Sequence, residues 1–422
     1  MEDRIAAYLE SQRGEVEELL TQLCRFPSTY GNEREVQDYL FDYCRDIGVD
    51  IERQFIPETL KDDPHYTAHV DDLPYGQDRY NLVGARRGTG DGRSIVLNSH
   101  VDVVPAEAAW TDAYNAACRD GVIVGRGACD AKGNVVTIIM VLRALEALDI
   151  SLEGDVLYQF VIDEEIGGNG ALAAIRLGHV ADAALVLEPT GLRAHPANKG
   201  ALWFRVDVEG RSVHMGRIGD GISALEHAVE VMDIFRQYEG HLIDRYGGHP
   251  LFVGVERPIQ MNFGIMRSGD FPSTVPGYAV LEGGVGFLPN KPIGEVMADL
   301  KGWIEERGSP WLREHFAISH DRLHNDAYAE DVNDPFVQAT AAALRTSGLD
   351  DELKGWIASC DARLFHHVAG IPSVTLGAGS MTYAHSSEEQ ITSGEILKGA
   401  SVILNLLMDW NNRPRQGGSR GA

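Results

Sequence analysis

Short apolar runs ending in polar residues alternate with stretches of helical period over the first 200 residues, and this alternation is what most limits the folds open to the chain. Asn81 to Ala85, Ser94 to Val101, Val156 to Ile162 and Ala183 to Leu187 have the branched and aliphatic content of buried strands. Residues 2–25 and 34–47, Asn134 to Leu148, and a segment starting near Gly170 space their apolar positions as helices do. Strands separated by helices imply an α/β layer around a largely parallel sheet.

Past Lys199-Gly200 the texture changes. Trp203 to Val208 alternates, Ala224 to Tyr238 reads as a helix, Ile259 to Ile265 and Tyr278 to Phe287 as strands, and Ile293 to Glu306 as a second helix. These make a compact α+β unit. The earlier pattern then resumes with a helix over Pro335 to Thr346, strand-like segments at Trp356 to Ser359 and Ser373 to Leu376, and a last helix after Thr392. Thr392-Ser393-Gly394-Glu395 has the form of a capping box. A chain of 422 residues exceeds what one core usually organises. The expectation is a discontinuous main domain, residues 1–200 and 323–412, flanking an insert over 201–322, with a disordered Gly- and Arg-rich tail from 413 to 422.

Charge narrows the partners. With 63 acidic against 37 basic residues, a net charge of -26, the chain lacks the basic surface that nucleic acid or an anionic membrane requires. No apolar stretch is long enough to span a bilayer, and the opening Met1-Glu2-Asp3-Arg4 starts an amphipathic helix rather than a leader. Cys24, Cys44, Cys118, Cys129 and Cys360 are odd in number and irregular in spacing, as expected of reduced thiols in a cytoplasmic protein.

Polar residues gather at the ends of the buried runs, where open α/β sheets collect ligands. His100 and Asp102 are two apart and share a strand face, a spacing that lets a carboxylate fix an imidazole tautomer. Asp130 sits in the glycine-punctuated turn Gly125-Arg126-Gly127-Ala128-Cys129-Asp130-Ala131-Lys132-Gly133, whose glycine spacing and missing Lys-Ser/Thr ending do not suit a phosphate loop. Glu164 and Glu165 end one strand and precede Gly167-Gly168, Glu188 ends another, and His385 follows Gly377-Ala378-Gly379. Singly, each residue also fits a solvated surface or a capped turn. Together, two histidines and several carboxylates suit a pair of divalent metal ions, zinc best and manganese or cobalt less well.

The ordered segments SHVDVVP, GRGACDAKG, VIDEEIGG, LEPT and YAHSSEE resemble the family of two-zinc amidohydrolases and peptidases that includes acetylornithine deacetylase, succinyl-diaminopimelate desuccinylase, aminoacylase and a glutamate-releasing carboxypeptidase. The resemblance covers nearly the whole chain. It implies a mixed-sheet α/β zinc-hydrolase domain interrupted by a ferredoxin-like lid through which two copies form a homodimer. It further implies that Asp130 bridges two metals, that His100 and Glu188 complete one ligand set, and that Glu165 and His385 complete the other. Glu164 becomes the general base, Asp102 orients His100, and His214, in Gly210-Arg211-Ser212-Val213-His214, becomes the donor to the oxyanion in the partner's site.

One departure bears on the substrate. Where the family places an Arg that grips a substrate carboxylate, this chain has Gly286, which cannot replace a bidentate donor. Arg363 and Arg267 are the candidates to substitute. The expected activity is hydrolysis of a C–N bond in a small N-acyl amino acid or N-acyl amine by metal-activated water. Removal of an amino group from an aromatic amine, deformylation of a formylaminopyrimidine, and dipeptidase or aminopeptidase action are the enzymatic alternatives. A non-catalytic dimeric binding protein is the alternative from another class.

Overall fold

The computed structural model describes residues 1–415. Its strands, in chain order, are β1 (Glu52–Phe55), β2 (Tyr80–Arg86), β3 (Ile95–His100), β4 (Val156–Val161), β5 (Ala184–Val186), β6 (Gly200–Glu209), β7 (Gln260–Ser268), β8 (Tyr278–Phe287), β9 (Phe316–Ser319) and β10 (Ser373–Thr375), apart from several short pieces. Six of them form one sheet in the order β1-β2-β4-β3-β5-β10.

That sheet is mixed. β4, β3, β5 and β10 run parallel, whereas β1 pairs antiparallel with β2, and β2 with β4. The link between β1 and β2 holds only the short 3₁₀ turn Glu58–Asp62, and antiparallel neighbours need no crossover helix. β3, β5 and β10 are buried from end to end, and β4 at every position but half-buried Leu157, as a sheet covered on both faces requires. The helix Gly133–Ala147 packs against Ser393–Trp410. From Val135 to Leu142 it is buried all round, which marks it as a core helix rather than a surface one. The Thr392–Glu395 capping box is formed in both directions.

The expected first helix is two, Glu2–Ser11 and Arg13–Cys24, meeting at Gln12. The helix at Ala224 runs on to Tyr246, well past Tyr238, because Leu242 is buried on the same face as Ile234 and Tyr238.

A second sheet, ordered β7-β8-β6-β9, is antiparallel throughout. The helices Ala224–Tyr246 and Ile293–Arg307 supply its core through Val231, Phe235, Tyr238, Leu300 and Ile304, against Leu202, Phe204, Val206 and Leu281. This core is separate from that of the six-stranded sheet. A small three-stranded sheet pairs Ala197–Asn198 with Tyr328–Ala329 and with Gly355–Trp356. Near the end of the described chain, Pro414 bridges to Gly92 and Arg415 pairs with Asp182 at 2.8 Å. The remainder of the tail, 416–422, lies outside the described residues. Among the described residues no helix is long and apolar enough to cross a membrane, and all five cysteines are free thiols.

Candidate active site

The carboxyl ends of β3, β4 and β5 converge, and the polar residues that terminate them meet there. Asp130 lies between two imidazoles. Its Oδ1 is 3.3 Å from His100 Nε2, and its Oδ2 is 3.3 Å from His385 Nε2. Glu188 Oε2 is 3.8 Å from His100 Nε2, and Glu165 Oε2 is 3.0 Å from His385 Nε2. The structure thus brings His100, Asp130, Glu165, Glu188 and His385 into one cluster. Glu164 joins it, since ligand atoms of His100, Glu164 and Glu188 all lie within 4.8 Å of one another, as do those of His100, Asp130 and Glu165.

Local backbone chemistry sets these positions. Asp130 lies in an irregular turn entered through Gly127 at φ 86°, where a Cβ would press to 2.7 Å from Val103. The Glu164-Glu165 turn is closed by two glycines with positive φ. At Gly168 a Cβ would stand 2.4 Å from Asp361 Oδ1, so the tight packing of the Asp361 segment depends on a hydrogen there. His385 itself holds φ 57°, a conformation few side chains other than Asn, Asp and His adopt readily.

Asp102 serves the cluster in a different way from the one its spacing suggests. His100 Nδ1 meets the Asp102 main-chain carbonyl at 2.9 Å, and the carboxylate stands farther off at 3.5 Å. The carboxylate instead accepts the main-chain N–H groups of Glu164 and Glu165, at 3.3 and 3.0 Å. It therefore ties the end of β3 to the turn after β4.

Electrostatics show what the cluster can hold. Burial, then the neighbouring Glu188 carboxylate, holds Glu164 well above the ordinary carboxylate range. Burial and Asp130 raise Glu165, and burial raises Glu188 despite the nearby His100. His385 is pushed up to about 10 by hydrogen bonds to Asp130 and Glu165. Burial opposes the charge on Asp130, yet hydrogen bonds with His100 and His385 keep its carboxyl below the usual range. Four carboxylates and two imidazoles so close together need positive charge between them. Nitrogen and oxygen donors at these separations fit divalent cations.

Three residues escape the motif reading. Glu389 is fully buried beside exposed Glu388, and its Oε1 accepts the main-chain N–H of Cys129 and Asp130 at 3.2 and 3.1 Å. Arg126, also buried, donates to Glu389 Oε2 at 2.6 Å. The available signals were an Arg inside the glycine-rich turn and an acid four residues after His385. Asp361 is the third. Burial pushes it up to about 7, and its Oδ2 has no hydrogen-bond partner.

The remaining candidates divide. Arg363 is buried, donates from Nη2 to Gly167 O at 2.6 Å just past the glutamate pair, and is lowered to about 10 by burial. Arg267 lies on β7, mostly exposed, 3.8 Å from Glu282. His214 is exposed and its Nδ1 accepts from Gly216 N–H at 3.1 Å, within its own loop. The adjacent His366 and His367, shortly after Arg363 in the chain, bond to Glu330 and to the Ala327 carbonyl, so each has a local structural partner.

Known proteins resemble this chain in sequence and fold. The chain is 23% identical to the N-formyl-4-amino-5-aminomethyl-2-methylpyrimidine deformylase of Halalkalibacterium halodurans, over 97% of each chain. It is 33% identical to the acetylornithine deacetylase of Myxococcus xanthus over 78% of this chain and 83% of that one. Its fold matches a tripeptidase from Staphylococcus aureus with a TM-score of 0.74 at 18% identity, covering 95% of this chain and 99% of the other. The model of peptidase family M20/M25/M40 matches residues 96–409, and the chain belongs to that family.

Proposed function

We propose that this hydrolase of C–N bonds is a dinuclear-metal deacylase that releases a short acyl group from a small N-acyl amino acid or N-acyl amine. The observation carrying the reading is the position of Asp130, with one oxygen facing His100 and the other facing His385. In this reading two ions would be held by Asp130 together with His100 and Glu188 on one side and Glu165 and His385 on the other. The mixed nitrogen and oxygen set suits zinc, with manganese or cobalt next. When bound, such cations would supply the Lewis acidity that activates water and polarises a scissile carbonyl.

Glu164 then has the proton work. It is buried beside the cluster, and its raised proton affinity suits a group that accepts a proton from water and delivers it to the departing nitrogen. Asp102 holds the backbone of both glutamates, so base and ligand move as one unit. Arg363 donates within the same region and is the better placed of the two arginines to receive a substrate carboxylate. His214 is assigned the oxyanion, reached from the partner of a lid-mediated homodimer. Five unpaired thiols support a cytoplasmic setting.

Deformylation of an aminopyrimidine is the second reading. It is supported by the deformylase relatives matched over 97% and 91% of this chain, and by Gly286 where a carboxylate-gripping Arg would stand. The test is a panel of N-acyl amino acids, N-formyl pyrimidines, dipeptides and aminoaromatic acids, run with zinc- and manganese-loaded protein. Acyl release from the first group is expected. Turnover confined to dipeptides or aminoaromatic acids would overturn the deacylase reading.

A further inference from the structure

The face of the β7-β8-β6 sheet turned away from its helices borders a cavity of about 570 Å³, closed on the other side by Ile357, Ala358 and Ser359. That volume lies in the range of small-molecule sites. Register defines its floor. Gln260, Gly286 and Ala201 stand in one row across the three strands, and Asn262, Gly284 and Trp203 in the next. Two glycines and an alanine leave a trough in the middle of the sheet, with half-exposed Trp203 on one side and amide side chains on the other. At Gly284 a Cβ would stand 3.2 Å from the Trp203 ring, so the absence of a side chain there keeps the trough open beside the indole.

Lys199 lies at the end of this trough and is 3% exposed. Its Nζ donates to the Arg257 carbonyl at 3.3 Å and to Gln260 Oε1, both neutral acceptors. An ammonium has three protons to give, and among the described residues no carboxylate is paired with Lys199. A buried cation without a counter-charge is costly, and an anion entering the cavity would offset that cost. Burial alone lowers this lysine to about 8, in keeping with its missing partner.

We propose that the trough binds a planar aromatic group bearing a carboxylate, the ring lying over Gly284 and Gly286 against Trp203 and the carboxylate accepting from Lys199 Nζ. The geometry selects a flat ring because Gly284 and Gly286 leave the floor bare beside the exposed Trp203 indole, and aromatic faces gain from stacking on indole. As the distal part of a substrate, this ring would rest on the deacylase reading above. As a binding site, it stands on the cavity alone.

Calorimetric titration of the intact protein with 3-phenylpropionate and with its uncharged amide tests the proposal. Saturable binding of the carboxylate is expected, weakened about 10- to 100-fold in Lys199→Met, with the amide weaker in the parent protein and little changed by that substitution. Gly284→Val, which fills the trough without touching the cation, should remove binding of both. Melting curves establish that the variants are folded. Equal binding of either probe to parent and both variants, or no saturable binding at all, overturns the proposal. So does a loss of dimer in the variants with probe binding unchanged, since the face would then be a subunit contact. Binding without any amide hydrolysis on the panel would sink the deacylase reading and leave this site standing. Hydrolysis without binding would do the reverse.

Discussion

The Glu389 carboxylate accepts the main-chain N–H of Asp130 at 3.1 Å, so the residue between the two imidazoles is held by an acid from the far end of the chain. Arg126 neutralises that acid at 2.6 Å, fully buried. Removing one partner of a buried pair leaves an uncompensated charge, typically a loss of about 3–5 kcal/mol. Glu389→Leu should therefore lower the melting temperature sharply. The double variant Arg126→Met/Glu389→Leu should recover most of the stability but keep metal affinity down by about 10- to 100-fold, the usual effect of losing a residue that orients a ligand. Denaturation curves and metal titrations separate the two effects.

Glu164→Gln should keep the fold and bind two metal equivalents while losing about 10²- to 10⁴-fold in turnover, the typical contribution of a general base. Metal content by elemental analysis is the decisive companion measurement. Glu164 lies within ligand distance of His100 and Glu188, so loss of one equivalent would make it a ligand rather than a base.

Asp102→Ala should be more damaging to metal binding than its distance from His100 suggests. The variant strips the acceptor from two adjacent N–H groups, those of Glu164 and Glu165. A fall in metal affinity of about 10- to 100-fold is expected. Asp102→Asn, which keeps one carbonyl oxygen, should fall between it and the parent.

Chelation should destabilise the protein, because the crowded carboxylates then face one another without the intervening charge. At a free metal concentration one hundred times the dissociation constant, the bound ions contribute about 2.7 kcal/mol per site. Thermal melts with and without chelator, followed by zinc or manganese re-addition, measure it. An unchanged melting temperature would argue against the cluster as a metal site.

Acid stability should depend on His195. Burial lowers it from 6.5 to about 4, and its Nδ1 meets the Lys354 carbonyl at 3.0 Å. Its folded pKa is depressed, so the neutral form is the native one. The stabilisation is complete above pH 6.5 and is lost as pH falls towards 4, amounting to about 3 kcal/mol at most. His195→Asn should flatten the pH dependence of unfolding in that window, read from denaturant midpoints.

The strands and the ends on which the cluster sits were legible because chemistry and pattern coincide there. A buried apolar run that stops at His100, Glu164 or Glu188 announces both a strand and what its tip presents. Long-range partners were not legible in this way. Glu389 and Arg126 are 263 residues apart, and nothing local distinguishes buried Glu389 from its solvated neighbour Glu388. The two-residue spacing of His100 and Asp102 gives a shared strand face but not which neighbour the Asp102 carboxylate reaches. Periodicity alone points to a largely parallel sheet, and the mixed sheet came only from the family resemblance; the antiparallel edge at β1 and β2 has no local signal because the segment between them carries no crossover helix, an absence that becomes informative only once strand order is known. The lid-sheet trough was invisible for a similar reason. Gly284 and Gly286 acquire meaning only when register sets them beside Trp203 and Gln260.

The pairing of Ala197–Asn198 with Tyr328–Ala329 places the departure of the chain from the six-stranded body directly beside its return. Partnered Cα atoms across an antiparallel pair are about 4.5–5.5 Å apart. A tight hairpin of the kind that joins adjacent antiparallel strands can span that gap. Everything from Lys199 to Ala327 is thus, topologically, a single long excursion from a closed loop. That makes this junction the natural splice point for grafting a different cover onto the same cluster of histidines and carboxylates.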